Sequence, residues 1–463
     1  MLGVAGIVLS LVLLMWLAYR GFNVLILAPL LALLAVLVGG DPRLLATYTQ
    51  IFMTGLGGFL VKYFPLFLLG AVFGRLMGDS GSAAAIARAI VRRLGARRAL
   101  MSIVLATAIL TYGGVSLFVV VFAVYPIATL LFREAQVPKR LFPGAYVLGA
   151  GTFTLSALPG TPSIQNALPM PYFGTDLYAA PGLGLIGGGL MLVLGMWWLE
   201  RRARQARDAG EGYGAHPMEV VVASIDEAAL PSTWLALGPV LLVIAGNFFF
   251  TRFVIPSMDT SYLADARFGK TTVGDVRGIW SLIAAVTLGI VGVIAMHWAR
   301  LRDLRRSLNE GTMTSLLPIF NTASEVGYGT VIASLAGFAV IRDALFSVSA
   351  GSPLVSEALT VNVLAGITGS SSGGLSIAMA AMGHTFQQLA TAAGVSPELM
   401  HRVATIASGG LDTLPHNGAV ITLLGICHLT HRESYKDIFV VSLVVPIVAL
   451  AAVVGLGMAF GSF

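Results

Sequence analysis

The chain has 463 residues, of which 57% are hydrophobic and 11% charged, and its mean hydropathy is +0.87. Soluble proteins carry about a quarter of their residues as charges, so this composition excludes a soluble domain and requires a polytopic membrane protein. The net charge of +6 does not make nucleic acid a partner, because the arginines collect in short loops, where membrane orientation places them.

Spans of roughly 20 apolar residues are oriented by three arginine clusters, Arg88 to Arg98, Arg201 to Arg207 and Arg300 to Arg306, all read as cytoplasmic. Residues 2–19 lack a basic leader and a small-residue cleavage site and are read as a retained first span running inward. Residues 22–39 then run out and 51–77 return. The stretch 99–132 is interrupted by Thr111-Tyr112-Gly113-Gly114-Val115-Ser116 and is expected to run outward as a broken helix. The stretch 141–170 holds too many Pro, Gly, Thr and Ser for a clean span, so it is expected as a re-entrant hairpin from outside, before 181–199 returns. This leaves Arg133, Lys139 and Arg140 outside, against the positive-inside trend. Residues 201–230 are polar and read as a linker.

The second half follows the same order: spans at 232–250, 278–299 and 311–340, a broken helix at 358–392, a hairpin at 403–428 from inside, and a last span at 438–462. Gly113-Gly114-Val115-Ser116 is answered by Gly373-Gly374-Leu375-Ser376, and the tip Leu158-Pro159-Gly160-Thr161-Pro162-Ser163 by Leu414-Pro415-His416-Asn417-Gly418. An odd number of crossings per half inverts the second copy. The expected fold is all-α, with two inverted-topology repeats, 1–200 and 231–463, and alternating access follows from that symmetry.

Unwound backbone at the broken helices would free N–H groups and the positive end of a half-helix, which suit a carboxylate. The candidate substrate residues are therefore Thr111, Tyr112, Gly113 and Ser116 in the first copy and Ser370, Ser371, Ser372 and Gly373 in the second. Small residues there equally allow close helix packing. Proline-stiffened tips add Thr161, Ser163, Asn166, His416 and Asn417, which ordinary turn chemistry would also place. Ionisable groups within spans are functional unless paired, and Asp79, Glu325, His384, Asp412 and His416 qualify. Glu325, a carboxyl withdrawn from water, is the expected proton carrier, and Asp412 with His416 a possible relay. Asp79 equally suits a cap on the following helix. With almost no arginine inside spans, solute charge is expected to meet dipoles and no fixed cation. The single cysteine, Cys427, excludes an internal disulfide and a cysteine metal site. No nucleotide loop, His-Glu-x-x-His or nucleophile elbow occurs, so neither an enzyme nor a cofactor is expected.

The runs Leu69 to Gly81, Phe320 to Gly329 and Gly409 to Gly418 resemble the gluconate:proton symporter (GntP) family of the ion-transporter superfamily, and the resemblance covers essentially the whole chain. It implies bacterial inner-membrane symport of a small organic acid, a scaffold with a moving transport part, and a homodimer in the lipid bilayer. Both tips depart from those of gluconate carriers and look more like the 3-hydroxybutyrate permease branch. The expectation is a symporter of a small hydroxy acid, coupled to protons with sodium open. The solute carboxylate would sit at Ser370 to Gly374 and its hydroxyl near Asn166 or Asn417. A gluconate symporter and a passive anion channel are the alternatives.

Overall fold

The computed structural model describes residues 2–20, 22–115, 117–214, 230–348, 351–415 and 417–463, which form helices and turns without a strand. Ser116 and His416 lie outside the described residues. The chain opens with α1 (Leu2–Tyr19) and α2 (Val24–Val38), then α3 (Leu44–Asp79), α4 (Ser82–Leu94), α5 (Ala99–Tyr112) and α6 (Leu117–Glu134). After α7 (142–156), the short α8 (Ile164–Ala167) and α9 (Met170–Phe173) lead to α10 (Pro181–Asp208). Two spans follow, α11 (Thr233–Ser257) and α12 (Val273–His297). The first half's order of elements then recurs as α13 (Leu304–Ser334), α14 (Ala336–Val348), α15 (Pro353–Thr368), α16 (Ser371–Ala392), α17 (Pro397–Ser408), α18 (Gly418–Cys427) and α19 (His431–Phe460). Among the described residues, α3, α10, α11, α12 and α19 are long and apolar enough to cross a bilayer unaided. The expected span 311–340 ends early, because the chain turns extended at Leu335.

The interrupted stretches are interchanged relative to the sequence expectation. α5 and α6 lie side by side, and α6 comes back to the 3-10 turn Ala96–Arg98 that precedes α5. α15 and α16 pair in the same way, more closely. The hairpins are therefore 99–134 and 353–392. By contrast, α7 does not run back along α8 and α9, nor α17 along α18, so 142–173 and 397–427 are interrupted segments that carry on past their prolines. Each hairpin turn is made at a glycine. Gly114 (φ +88°) and Gly369 (φ +62°) adopt the left-handed conformation that reverses a chain after a helix. The N–H of Val115 reaches back to Leu110 O (3.0 Å), and that of Ser370 to Ala365 O (3.2 Å). With 14 and 16 residues, α5 and α15 are about 21 and 24 Å long, short of the hydrocarbon core of about 30 Å.

Gly114 and Gly369 are thus the matching turn residues. Gly373 and Gly374, expected to answer Gly113 and Gly114, fall in the first turn of α16, where Gly374 packs on the backbone of Leu364 and Ala365. The hairpin geometry also accounts for the misplaced cations. Arg140 pairs with Glu211 at 2.7 Å, just beyond the Arg201 to Arg207 cluster, so Arg133, Lys139 and Arg140 share an end of the molecule with the arginine clusters. At that same end, Asp437 of α19 takes bonds from Arg202 Nε (2.9 Å) and Trp198 Nε1 (3.0 Å). At the opposite end, Gly182 N meets Phe463 O (2.8 Å) and Ser396 meets Ser462 (2.8 Å).

The core is one continuous apolar cluster from α3 to α19, with a smaller one where α1 and α2 pack on Phe52, Tyr328 and Ile377. Glycines let α3 and α13 approach along their length: Gly55 faces Thr330, Gly311 faces Val72 and Gly327 faces Phe52. Small residues take this role where lipid tails remove the hydrophobic drive for helix association.

Candidate functional site

In each half the hairpin turn abuts the interruption of the following segment. In the first, Tyr112 Oη donates to Pro159 O (2.8 Å) and Gly114 packs on Pro162. In the second, Asn417 Nδ2 donates to Gly369 O (2.9 Å), and Ser371 Oγ to Ser408 Oγ (2.9 Å). The two interruptions also meet each other, with Ser156 Oγ against Gly409. This junction of two turns and two breaks gathers most of the expected site residues.

Their roles divide. Asn166, at the first break, is fully buried with its amide saturated: Nδ2 donates to Thr161 O (3.1 Å) and Leu177 O (3.0 Å), while Oδ1 lies 3.1 Å from His401 Nε2 and 3.3 Å from Arg402 Nη1. Asn417 repeats the pattern, with Nδ2 also on Asp412 O (2.9 Å) and Oδ1 capping α18 at Val420 N (2.7 Å). Both asparagines, expected as solute ligands, are brackets that hold the breaks open, since every strong polar group they carry is already bonded. Ser163 is another bracket, donating to Leu155 O (2.7 Å) and accepting from Asn166 N (3.2 Å). Ser370 caps α16 through Gly373 N (3.0 Å), with Ser372 beside it at 3.5 Å. Asp79 leaves the site altogether. At the end of α3 it bonds Arg75 Nε (2.8 Å) and Ser307 Oγ (2.7 Å), and the cap position before α4 belongs to Gly81.

Unbonded acceptors and hydroxyls remain at the junction. Thr111 and Thr161 hydroxyls are buried without a partner at the first turn and break. At the second, Asp412 Oδ1 and Glu325 Oε2 are buried and unbonded. Glu325 and Gly329 stand one turn apart on the face that α13 turns toward α16. The Glu325 carboxyl rests directly on Gly373, at the N-terminus of α16, where even a methyl group would collide with it. The acid therefore occupies the seat expected for a solute carboxylate. His384 lies further along α16 and is exposed.

Several residues were not foreseen. Arg402 is fully buried in α17 and gives its guanidinium to carbonyls, Nε to Ala179 O (3.0 Å), Nη2 to Ala179 O (2.7 Å) and Nη1 to Ala157 O (3.1 Å). A fixed cation does sit at the first break, although it serves as a clamp. His401 beside it bonds Thr175 Oγ1 (2.6 Å). The expected hairpin begins at 403 and so leaves these two residues outside it; the apolar run around them is the signal. Glu357, whose two carboxyl oxygens are buried and unbonded, precedes the expected boundary at 358 by one residue. Asn362 Oδ1 is unbonded and pressed against Gly410. Among the described residues no group of three His, Cys, Asp or Glu could hold a metal ion.

Two solved structures share this fold. The crystal structure of the YdaH transporter of Alcanivorax borkumensis, described as having an unusual topology, superposes with a TM-score of 0.59 over 91% of this chain and 90% of that one, at 15% identity. MtrF of Neisseria gonorrhoeae, presented as illuminating a class of antimetabolite efflux pumps, gives 0.57 over 94% of both chains at 13% identity. At such identities the likeness is one of fold. An uncharacterized transporter of Bacillus subtilis strain 168, YxjC, is 48% identical over 450 residues, 95% of each chain. The family described as GntP family permease matches residues 1–459, and with that match the multi-pass helices, paired turns and carboxyl at their junction find their place: the chain belongs to the GntP family of permeases.

Proposed function

We propose that this permease is a proton-coupled symporter of a small organic monocarboxylate in a bacterial inner membrane, with 3-hydroxybutyrate the solute its tip sequences favour. The observation that carries the reading is the Glu325 carboxyl lodged on Gly373 at the N-terminus of α16. Two carboxylates repel in one buried seat. A solute anion settles there only once Glu325 holds a proton, so solute and proton are taken up together. The unbonded hydroxyls of Thr111 and Thr161, across the junction of the breaks, suit the solute's own hydroxyl.

The two halves are read as an inverted pair. The hairpin 99–134 enters from the arginine-rich, cytoplasmic end and the hairpin 353–392 from the other, which agrees with the bonds that tie each end together. Division into a scaffold and a moving part, and a homodimer, belong to the same reading through the family resemblance. Sodium coupling has its own support, because Asp412 Oδ1 and Asn362 Oδ1 are buried oxygens without donors, both at the second break.

Proteoliposomes decide between these. Labelled 3-hydroxybutyrate should accumulate under an imposed inward proton gradient. Glu325→Gln should remove that accumulation while leaving solute exchange in counterflow. Accumulation undiminished in Glu325→Gln would overturn the assignment of the proton, accumulation under sodium alone would transfer coupling to the second break, and equilibration without accumulation under either gradient would make the protein a channel.

A further inference from the structure

We propose that a cavity between α3, α9, α13 and α16, about 310 Å³ in volume, is an antechamber in which Lys62 gathers short-chain carboxylate anions from the external side ahead of the second hairpin turn. The inference rests on the reading above in two respects, that the solute is an anion and that the arginine-rich end is cytoplasmic.

The cavity is lined by Thr54, Lys62, Tyr172, Val326, Ser376 and His384, among others. Its floor adjoins the proposed seat. Val326 follows Glu325 on α13, and Ser376 lies three residues past Gly373, about 5 Å along α16. His384, eleven residues past Gly373, marks a level about 16 Å from it. Since α16 runs from the hairpin turn toward the end of the molecule where Ser396 meets Ser462, that level lies away from the arginine clusters, on the external side.

The chemistry of the lining is that of an anion site. Lys62 is exposed in the cavity, and among the described residues no carboxylate oxygen lies within 4.0 Å of it. Asp275 acts on it only through space, its carboxyl being bonded by Thr271 and Thr272 at 2.7–3.2 Å. The ammonium stands 5.7 Å from the centre of the Tyr172 ring, which in turn stands 5.8 Å from the His384 ring. A lysine on a membrane-spanning helix without an acid beside it is costly unless a water-filled path and a passing counter-charge need it. At the floor, the Ser376 hydroxyl is buried, unbonded and part of the lining. It offers a hydrogen bond to whatever reaches that depth. A lysine ammonium acts as a point charge without the geometric grip of a guanidinium, which suits a place where anions are collected and passed on. The volume falls at the small end of ligand cavities, roughly 300–1,000 Å³, which favours a short-chain acid.

The test reads local potential and needs no transport. Thr54→Cys, in a background where the buried Cys427 is replaced by alanine, places a thiol at the exposed rim; His384→Cys is a second reporter should the first fold poorly. Intact cells are treated with the anionic sulfonatoethyl and the cationic trimethylammonioethyl methanethiosulfonates. The ratio of anionic to cationic modification rates should fall about fivefold or more when Lys62 becomes methionine and return with Lys62→Arg. A ratio indifferent to Lys62→Met, or reporters that react only from the cytoplasmic side, would overturn the proposal. If the ratio responds but no hydroxy acid is transported, the antechamber stands and the solute assignment above is what fails.

Discussion

Asn417 and Glu325 sit at the same turn and do opposite work. Asn417 has both amide hydrogens and its oxygen bonded, and Glu325 has an unbonded oxygen at a helix N-terminus. A saturated amide fixes a shape, whereas an unsatisfied carboxyl responds to charge. Asn417→Asp separates the functions of the bracket, because the cap on Val420 N survives while the two donations to Gly369 O and Asp412 O are lost and become repulsions between acceptors. This variant should lose about 1–3 kcal/mol of stability and at least tenfold in solute uptake. Thermal melting in detergent and proteoliposome flux measure the two, and uptake at the native rate would show that the turn and the break need not be joined. At the first break the bracket is heavier. Arg402 ties Ala157, Leu177 and Ala179 carbonyls to α17, which leaves the second break, with Glu325 and Asp412, as the one carrying the unpaired acids.

At the scale of elements, the sequence reading marks the four interruptions rich in glycine, proline and serine, misses the one at Leu335, and misjudges which of the four reverse. Gly, Pro and Ser clusters announce that a helix cannot continue but not whether the chain kinks or turns back: Gly114 (φ +88°) and Gly160 (φ +78°) both reach the left-handed region, yet only the first lies in a turn whose flanking helices pair. The charges held the missing clue. Arg133, Lys139 and Arg140 violated the positive-inside trend only as long as 99–132 was taken to cross. Spans set by hydropathy alone, such as 181–199 and 278–299, agree with α10 and α12 apart from their ends. Contacts that join distant parts, such as Glu325 on Gly373 or Arg402 on Ala157, have no local signature. The hairpin α15–α16 depends on Gly374, whose added methyl would meet the backbone of Leu364 and Ala365 with no flexible side chain to give way. Gly374→Ala should therefore cost about 1–3 kcal/mol or more and reduce the yield of monodisperse protein. Gly418→Ala, with open space around it, should leave yield and melting unchanged, and equal behaviour of the two variants would refute this account of the hairpin.

At its arginine-rich end the molecule carries a fully buried carboxylate that joins the halves. Asp437 of α19 is fully buried and receives Arg202 and Trp198 from α10 and, at 3.5 Å, Arg140 ahead of α7, so it joins the second half to the first. Removing one member of a buried ion network leaves the others uncompensated, at about 3–5 kcal/mol. Asp437→Asn is expected to lower the melting temperature markedly, while Asp41→Asn, at an exposed pair with Arg43, should change it little. A melting point indifferent to Asp437→Asn would mean that this buried network does not hold the halves together.

The first hairpin also bears on biogenesis. In the topology proposed above, α5 and α6 dip into the bilayer and come back, so that each guanidinium and ammonium from Arg88 to Arg140 would stay on the side where the ribosome delivers it. Inserting this region would then call for no translocation of fixed positive charge, only the sliding of an uncharged loop, Thr111 to Val115, to the level where, in that topology, its counterpart would later arrive from the opposite leaflet.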